Sequence, residues 1–549
     1  MKIESVYIKE FRNLNNFRIE FSQLKTVYTT VLIGQNASGK SNFLEAIVLI
    51  FKQLDFSDKE IKKEHWFEYE IIYTIRKYRV KISRKFENGK EKNEYQIFTN
   101  SKDLLENDIW EDIKKFKENK DEYLPKYVFA YYSGLGNSNR LQEHFEEYKR
   151  KFAEDAMKIK DNQVPESPRL FYAELIHSQL SLLSFFIDNE NFTREFLKEH
   201  LSIDNLQTVL LTIQEPDWSN ATKKKKDPKF FGSQGVVKDL LYYLHDKAFA
   251  PFRDKIENKS GLWEKNGKKT LEVVYLYFKN FDEIRKFVYD KKWTSFDFFH
   301  ILNTANVSKL ITKEGIKIRV KKKYADRILF KDLSEGEQQL LTVLGLMRFT
   351  YTEEALFLLD EPDTHLNALW QWKYMQFIDE IVLRDKDKDK SSVQVIMSSH
   401  SPLTIGSLEK ENIRRFVQTN GEIAAIEPSE SPKGMGVAGV LTEIFEIPST
   451  LDIPTQKDLN ERRDLQSKEH FGELLNETQK QRLLELNLKL DNLGYRFVYP
   501  DPLYVEFEMT LAKRKREKGL GMPSTPEEVA KLNKLAEDLL KELFDNKNI

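Results

Sequence analysis

Gly34-Gln35-Asn36-Ala37-Ser38-Gly39-Lys40-Ser41 is the stretch on which the fold turns. The apolar run Val27–Ile33 before it reads as a strand. Lys40–Gln53 after it reads as a helix, with Phe43, Leu44, Ile47, Val48 and Ile50 on its apolar side. In a strand, glycine loop and helix of that order, backbone N–H groups converge on an anion at the helix start. The string fits G-x-x-x-x-G-K-S, in which the lysine reaches the β and γ phosphates of ATP and the serine ligates Mg2+. Gly34, Gln35, Asn36, Ala37, Ser38, Gly39, Lys40, Ser41 and the adjacent Asn42 are therefore the expected ATP contacts. The alternative is an ordinary glycine turn, and the strand before and helix after weigh against it.

Three further strings carry chemistry. Leu356-Phe357-Leu358-Leu359-Asp360-Glu361-Pro362 is an apolar strand ending in two carboxylates. Asp360 is expected to hold Mg2+ through water, and Glu361 to orient and deprotonate the attacking water. Ser398-Ser399-His400-Ser401-Pro402 also follows an apolar strand. A lone histidine is usually structural, but His400 stands where a γ-phosphate sensor is wanted. Leu333-Ser334-Glu335-Gly336-Glu337-Gln338-Gln339 offers a hydroxyl and a glycine backbone at the start of an amphipathic helix, a second anion cradle. In isolation it is equally a helix cap, Ser334 with Glu337 three residues on.

In this order the four strings resemble the ABC-type ATPases of the SMC, RecF and OLD classes. The resemblance covers about residues 1–135 and 315–430. It implies an α/β ABC-type head, cut by an inserted domain and followed by a C-terminal region. It also implies that the signature residues Ser334, Glu335, Gly336 and Glu337 close over ATP held by a second chain, in a head-to-tail dimer or larger assembly. Asp363 and His365 would lie at that seam. Arg12, in Phe11-Arg12-Asn13, would contact nucleotide, and Gln142 is the nearest candidate for the switch glutamine. Less specifically, Tyr131–Gly134, Asn139–Leu141, Gly434–Glu443 and Asp501–Tyr504 look like the ATPase subunit (PtuA-type) of Septu antiphage systems, including those attached to retrons. That likeness implies a separate HNH nuclease partner and, in a retron, a reverse transcriptase with its DNA/RNA product.

The rest of the chain sets limits. Its 549 residues exceed one core. The expected division is a head half at 1–135, a mainly helical lid at 136–315, a second head half at 316–430 and a helical region at 431–549. A net charge of -1 leaves nucleic-acid contact to local patches, of which Lys223–Lys226, Lys321–Lys323 and Lys513–Arg516 are densest, each by default a solvated surface. With no cysteine there are no disulfides, thiolate zinc sites or iron–sulfur clusters. Met1–Ile8 lacks the apolar core of a signal peptide, and no apolar run approaches the roughly 20 residues that span a bilayer, so a cytoplasmic protein is expected.

No nuclease centre is expected within the chain. Its late aspartates are scattered, its nine histidines are dispersed, and the Asp385–Asp389 run reads as a solvated loop. The expected function is an ATPase whose assembly controls an associated nuclease in a prokaryotic defence complex. The alternatives are a RecF-like repair ATPase that binds DNA directly, an ATP-locked scaffold and, disfavoured, a transporter subunit.

Overall fold

The apolar runs before the glycine loop, the carboxylates and the histidine become β3 (Thr29–Gly34), β15 (Ala355–Asp360) and β16 (Val393–Ser398). Every residue of β15 and β16 is buried, the mark of strands covered on both faces. β3 pairs with β16, β16 with β15, and β15 with β8 (Tyr127–Tyr132), all in parallel. With β9 (Leu170–Tyr172), β17 (Ile413–Thr419) and β18 (Glu422–Ile426), the sheet runs β18-β17-β3-β16-β15-β8-β9. Parallel pairing brings Gly34, Asp360 and Ser398 to one edge.

This computed structural model describes all of the chain except residues 25–26, 57–66, 88–89, 100–107, 112, 135–137, 157–167, 188–190, 217, 220–228, 259–268, 324, 351–353, 383–392, 420, 496–501, 521–525 and 546–549. Lys223–Lys226, Asp385–Asp389 and Asp501 lie outside the described residues. The chain divides into two units, Met1–Ser431 and Pro432–Ile549.

A second sheet is antiparallel: β1 (Lys2–Phe11), β2 (Leu14–Glu20), β4 (Tyr69–Ile75), β5 (Tyr78–Glu87), β6 (Lys90–Thr99) and β7 (Asp108–Glu111), in the order β2-β1-β4-β5-β6-β7. Its inward Val6, Ile8, Ile71 and Tyr73 share one core with Phe43, Ile47 and Phe51 of the helix Lys40–Asp55 and with Leu356, Leu358 and Ile396 of the parallel sheet. That helix is buried on nearly every side from Phe43 to Leu54, with Glu45, Lys52 and Gln53 among its buried residues. After β6 the chain forms the edge strand β7 and then the helix Ile113–Glu118. Antiparallel pairing with β6 overrides the local pattern there.

The middle of the chain combines helices with a five-stranded antiparallel sheet. This comprises β10 (Ile203–Gln214), β11 (Phe252–Asn258), β12 (Lys269–Phe278), β13 (Ile311–Lys322) and β14 (Ala325–Leu329), in the order β11-β12-β10-β13-β14. The strand expected to resume the head at Ile316 is part of β13 and pairs with β10, so the parallel sheet resumes only at β15. Phe349, on the helix Glu335–Thr350, stacks on Phe185 at 5.2 Å and Phe299 at 4.9 Å, joining the middle to the head.

In the second unit the helices Ile453–His470 and Glu477–Asn492 enclose Leu459, Leu465, Leu483, Leu486 and Leu490. The Lys513–Arg516 run is engaged within this unit: Arg514 pairs with Glu542, Arg516 with Asp464 and Glu473, and Lys513 lies over the Phe471 ring.

Two buried histidines make stability depend on pH. Burial, with the nearby Lys126 charge, pushes the His300 pKa from 6.5 down to about 3; burial above all takes His177 to about 4. A depressed histidine pKa means the unfolded chain binds more protons below pH 6.5. Stability present above that pH is then lost as pH falls. The urea midpoint should drop steadily below pH 6.5, His300 alone costing roughly 2–3 kcal/mol by about pH 4.5. His300→Leu should flatten that slope; an unchanged slope would contradict the burial argument.

Candidate nucleotide-binding site

The glycine loop closes as its residue types demand. Gly39 has φ +95°, and a Cβ there would lie 2.8 Å from Leu14 Cδ2, so both conformation and space select glycine. Lys40, 6% exposed, donates to Gly34 O at 2.9 Å and to Gln35 O at 3.0 Å. Burial lowers its pKa, opposed by Asp360 and Glu361.

Asp360 ends β15 with a carboxylate that burial pushes upward in pKa, against hydrogen bonds with Ser398 and Ser41. Ser398 Oγ donates to Asp360 and accepts the Glu361 N–H at 3.0 Å. A buried carboxylate, a serine hydroxyl and a lysine form a hard-oxygen donor set with a balancing cation, which fits Mg2+ beside phosphate. Glu361 sits at φ +51°, uncommon for a non-glycine residue, which turns the chain sharply out of the strand. Its Oε1 lies 3.4 Å from His400 Nε2. Burial, then the Lys40 charge, lowers the His400 pKa, leaving the ring neutral at neutral pH with one donor and one acceptor.

The signature string realises its capping alternative. Glu337 N–H donates to Ser334 Oγ at 3.2 Å, and Ser334 N–H donates to Glu337 Oε2 at 2.9 Å. Glu337 also pairs with Lys322, one of the Lys321–Lys323 run. A Cβ on Gly336 would lie 2.7 Å from His365 O, and Gln339 Nε2 donates to Pro362 O at 2.6 Å. The helix start is therefore pressed onto the loop that follows Glu361.

Three expected site residues are placed differently. Asp363 is 2% exposed and accepts from Ser399 Oγ at 2.6 Å and Thr404 Oγ1 at 2.5 Å, so its carboxylate ties the loop together inside the chain and does not face a seam. His365 is the exposed one, 3.3 Å from Glu335. Arg12 pairs with Glu45 at 2.6 Å, and Glu45 meets His144 Nε2 at 2.9 Å, which makes Arg12 a brace on the phosphate-loop helix. Gln142 donates to Glu174 at 3.4 Å on the wall of a cavity whose described lining includes none of residues 34–42.

Asn13 was overlooked beside Arg12. It donates to Ala37 O at 2.8 Å and accepts from Asn42 Nδ2 at 2.7 Å, pinning the loop to the helix. Its sequence signal is its place in Phe11-Arg12-Asn13, at the turn between β1 and β2.

A family model described as an AAA ATPase domain matches residues 1–405, and the chain belongs to that family. The chain thus carries an AAA ATPase domain over most of its length. Over 50 residues, 9% of the chain, it is 40% identical to the DNA replication and repair protein RecF of Listeria welshimeri. Over 220 residues, 39% of the chain, it is 22% identical to the Retron Vc95 probable ATPase of Vibrio cholerae. The chain spans 12% of the length of the first and 40% of the second. Among solved structures, an SMC head bound to the C-winged helix domain of ScpA is 13% identical, with TM-score 0.33 and coverage of 78% of this chain and 98% of that one. The SMC head domain from Thermotoga maritima has TM-score 0.30 at 13% identity, covering 78% and 99%. Among the described residues no helix is long and apolar enough to cross a membrane.

Ser398→Ala should lower ATP turnover about tenfold with little change in KM, as expected for a hydroxyl that holds the Asp360 carboxylate and the Glu361 backbone. Asn13→Ala should instead weaken nucleotide binding, by about 1 kcal/mol, because it loosens the loop. Equal effects of both on kcat and KM would contradict these separate roles.

Proposed function

We propose that the chain hydrolyses ATP with Glu361 as general base and His400 as γ-phosphate sensor. On this reading ATP also brings two chains together head to tail, and the assembly controls a separate nuclease in a prokaryotic antiphage complex. The observation that carries the reading is the convergence of Lys40, Ser41, Asp360, Glu361 and His400 at one edge of a parallel sheet, where open α/β folds bind their ligands.

Lys40 neutralises phosphate charge once nucleotide draws it from the loop carbonyls. Ser41 and Asp360 are the residues that would hold Mg2+, which when bound supplies charge neutralisation across the phosphates. Glu361 takes the proton of the attacking water. Neutral His400 has a single N–H, which faces the Glu361 carboxylate in the empty site and turns to the γ-phosphate when nucleotide binds.

Ser334 and Gly336 stand at the N-terminus of the helix Glu335–Thr350, whose dipole favours an anion. Supplied to a second chain's nucleotide, they complete its site. The exposed His365–Glu335 pair then lies at the seam. The partners belonging to this reading are an HNH nuclease and, in a retron setting, a reverse transcriptase with its DNA/RNA product. Its support is the likeness to the Retron Vc95 probable ATPase and to the Septu ATPase strings. A second reading, a RecF-like ATPase that binds DNA directly, draws on the local identity to RecF.

Glu361→Gln should retain ATP binding, reduce turnover at least a hundredfold and accumulate an ATP-dependent assembly on size-exclusion chromatography with light scattering. Unchanged hydrolysis would remove Glu361 as the base. Purification with the native operon neighbours separates the readings. A stoichiometric nuclease supports the defence complex, whereas DNA alone, with DNA-stimulated hydrolysis, supports the RecF-like one.

A further inference from the structure

The five-stranded sheet of the first unit is covered on one face and open on the other. Leu276 of β12, Val209 and Leu211 of β10, and Ile316 and Ile318 of β13 are buried and share the inner face. The residues between them point outward, and the register sets them in rows across the strands. Phe252 of β11 lies opposite Tyr275 of β12, their rings stacked at 4.7 Å. Tyr277 lies opposite Leu210, and Leu210 opposite Lys317. Arg319 and Lys321 follow along β13, opposite Thr208 and Asn205. One side of the open face is therefore an aromatic platform and the other a basic stripe.

Folding alone accounts for neither feature. Lys317, Arg319 and Lys321 are exposed and have no carboxylate partner among the described residues; Asp204, Asp254 and Glu314 on the same strands do not pair with them. Charges on a sheet commonly guard an edge strand against pairing. Here the cations stand on β13, an interior strand, whereas the edge strand β11 carries Phe252, 56% exposed, and the exposed Ile256. The placement is the reverse of edge protection.

We infer that this face binds single-stranded nucleic acid, with bases stacked on Phe252, Tyr275 and Tyr277 and phosphates along Lys317, Arg319 and Lys321. The tyrosine column and the basic stripe are two strands apart, about 10 Å, so an unpaired strand engages both at once. A duplex keeps its bases stacked inside and leaves the platform idle. The face is connected to the signature helix: Lys322, next along β13, pairs with Glu337, which accepts the Ser334 N–H. The inference goes beyond the ATPase reading and does not depend on it, because the surface is complete without nucleotide.

The test measures anisotropy of fluorescent oligo(dT), oligo(U) and a duplex, each about 20 nucleotides long, with the full chain in the absence of nucleotide, between about 50 and 200 mM NaCl. At least one single strand should bind with Kd of about 10 μM or tighter and at least tenfold tighter than the duplex, the stronger of the two telling DNA from RNA. Phe252→Ala should weaken it about fivefold without changing the slope of log affinity against log salt, and Phe252→Tyr should restore it. Lys317→Glu with Arg319→Glu should weaken it at least tenfold and reduce that slope by about two. If this pair fails to fold, Lys317→Gln with Arg319→Gln must still reduce the slope. Lys40→Ala should bind the strand like wild type, so a failure of ATP hydrolysis leaves the inference standing. It is overturned if neither single strand binds at about 100 μM protein, or if the duplex binds as tightly. It is equally overturned if Phe252→Ala or the charge substitutions leave binding unchanged, or if poly-glutamate displaces the strand as well as unlabelled strand does, which would assign the face to an acidic protein segment.

Discussion

The hydrogen bond from Ser398 Oγ to the buried Asp360 carboxylate is the constraint on which the site depends. It joins the ends of β15 and β16, and the same oxygen accepts the Glu361 N–H at 3.0 Å. One hydroxyl therefore sets the acid that faces Ser41 and the carboxylate that faces His400. A buried carboxylate tolerates its environment only when partners surround it, and here the partners are Ser398 at the end of β16 and Ser41 in the first turn of the helix Lys40–Asp55.

The same logic governs the loops. Asp363 has no role at the surface because Ser399 and Thr404 need an acceptor where the chain turns back under the sheet. Gly336 and Gln339 then press the signature helix onto this loop. Glu361 is caught between two rigid supports, which accounts for a left-handed backbone at a non-glycine position. Through Phe349, stacked between Phe185 and Phe299, the helix also touches the middle of the chain, so an event at its N-terminus has a packed route into that region.

Much of this was legible beforehand. The strings at Gly34–Ser41, Leu356–Glu361 and Ser398–Pro402 named the strands of the parallel sheet and the side chains that converge, because buried parallel strands are short uninterrupted apolar runs. The middle sheet was less legible. β13 alternates apolar residues with lysine and arginine from Ile316 on and reads as a strand, whereas β10 mixes polar and apolar residues, and its pairing with β13, about a hundred residues away, sets it in the middle sheet. β7, an edge strand of four residues, likewise owes its conformation to its neighbour.

By itself the sequence determined the chemistry: which side chains form the cradle, which carboxylates end the strand, and which histidine stands beside them. Those are matters of residue type and local order, and glycine, lysine, serine and aspartate leave few substitutes. The tertiary structure decided what each neighbour of that chemistry does. Arg12 became a brace because Glu45 lies buried beside it, Asp363 an internal tie because two hydroxyls converge on it, and Gln142 part of another cavity wall. A charged or polar side chain takes its role from the partner that burial gives it, and burial is a property of distant segments meeting.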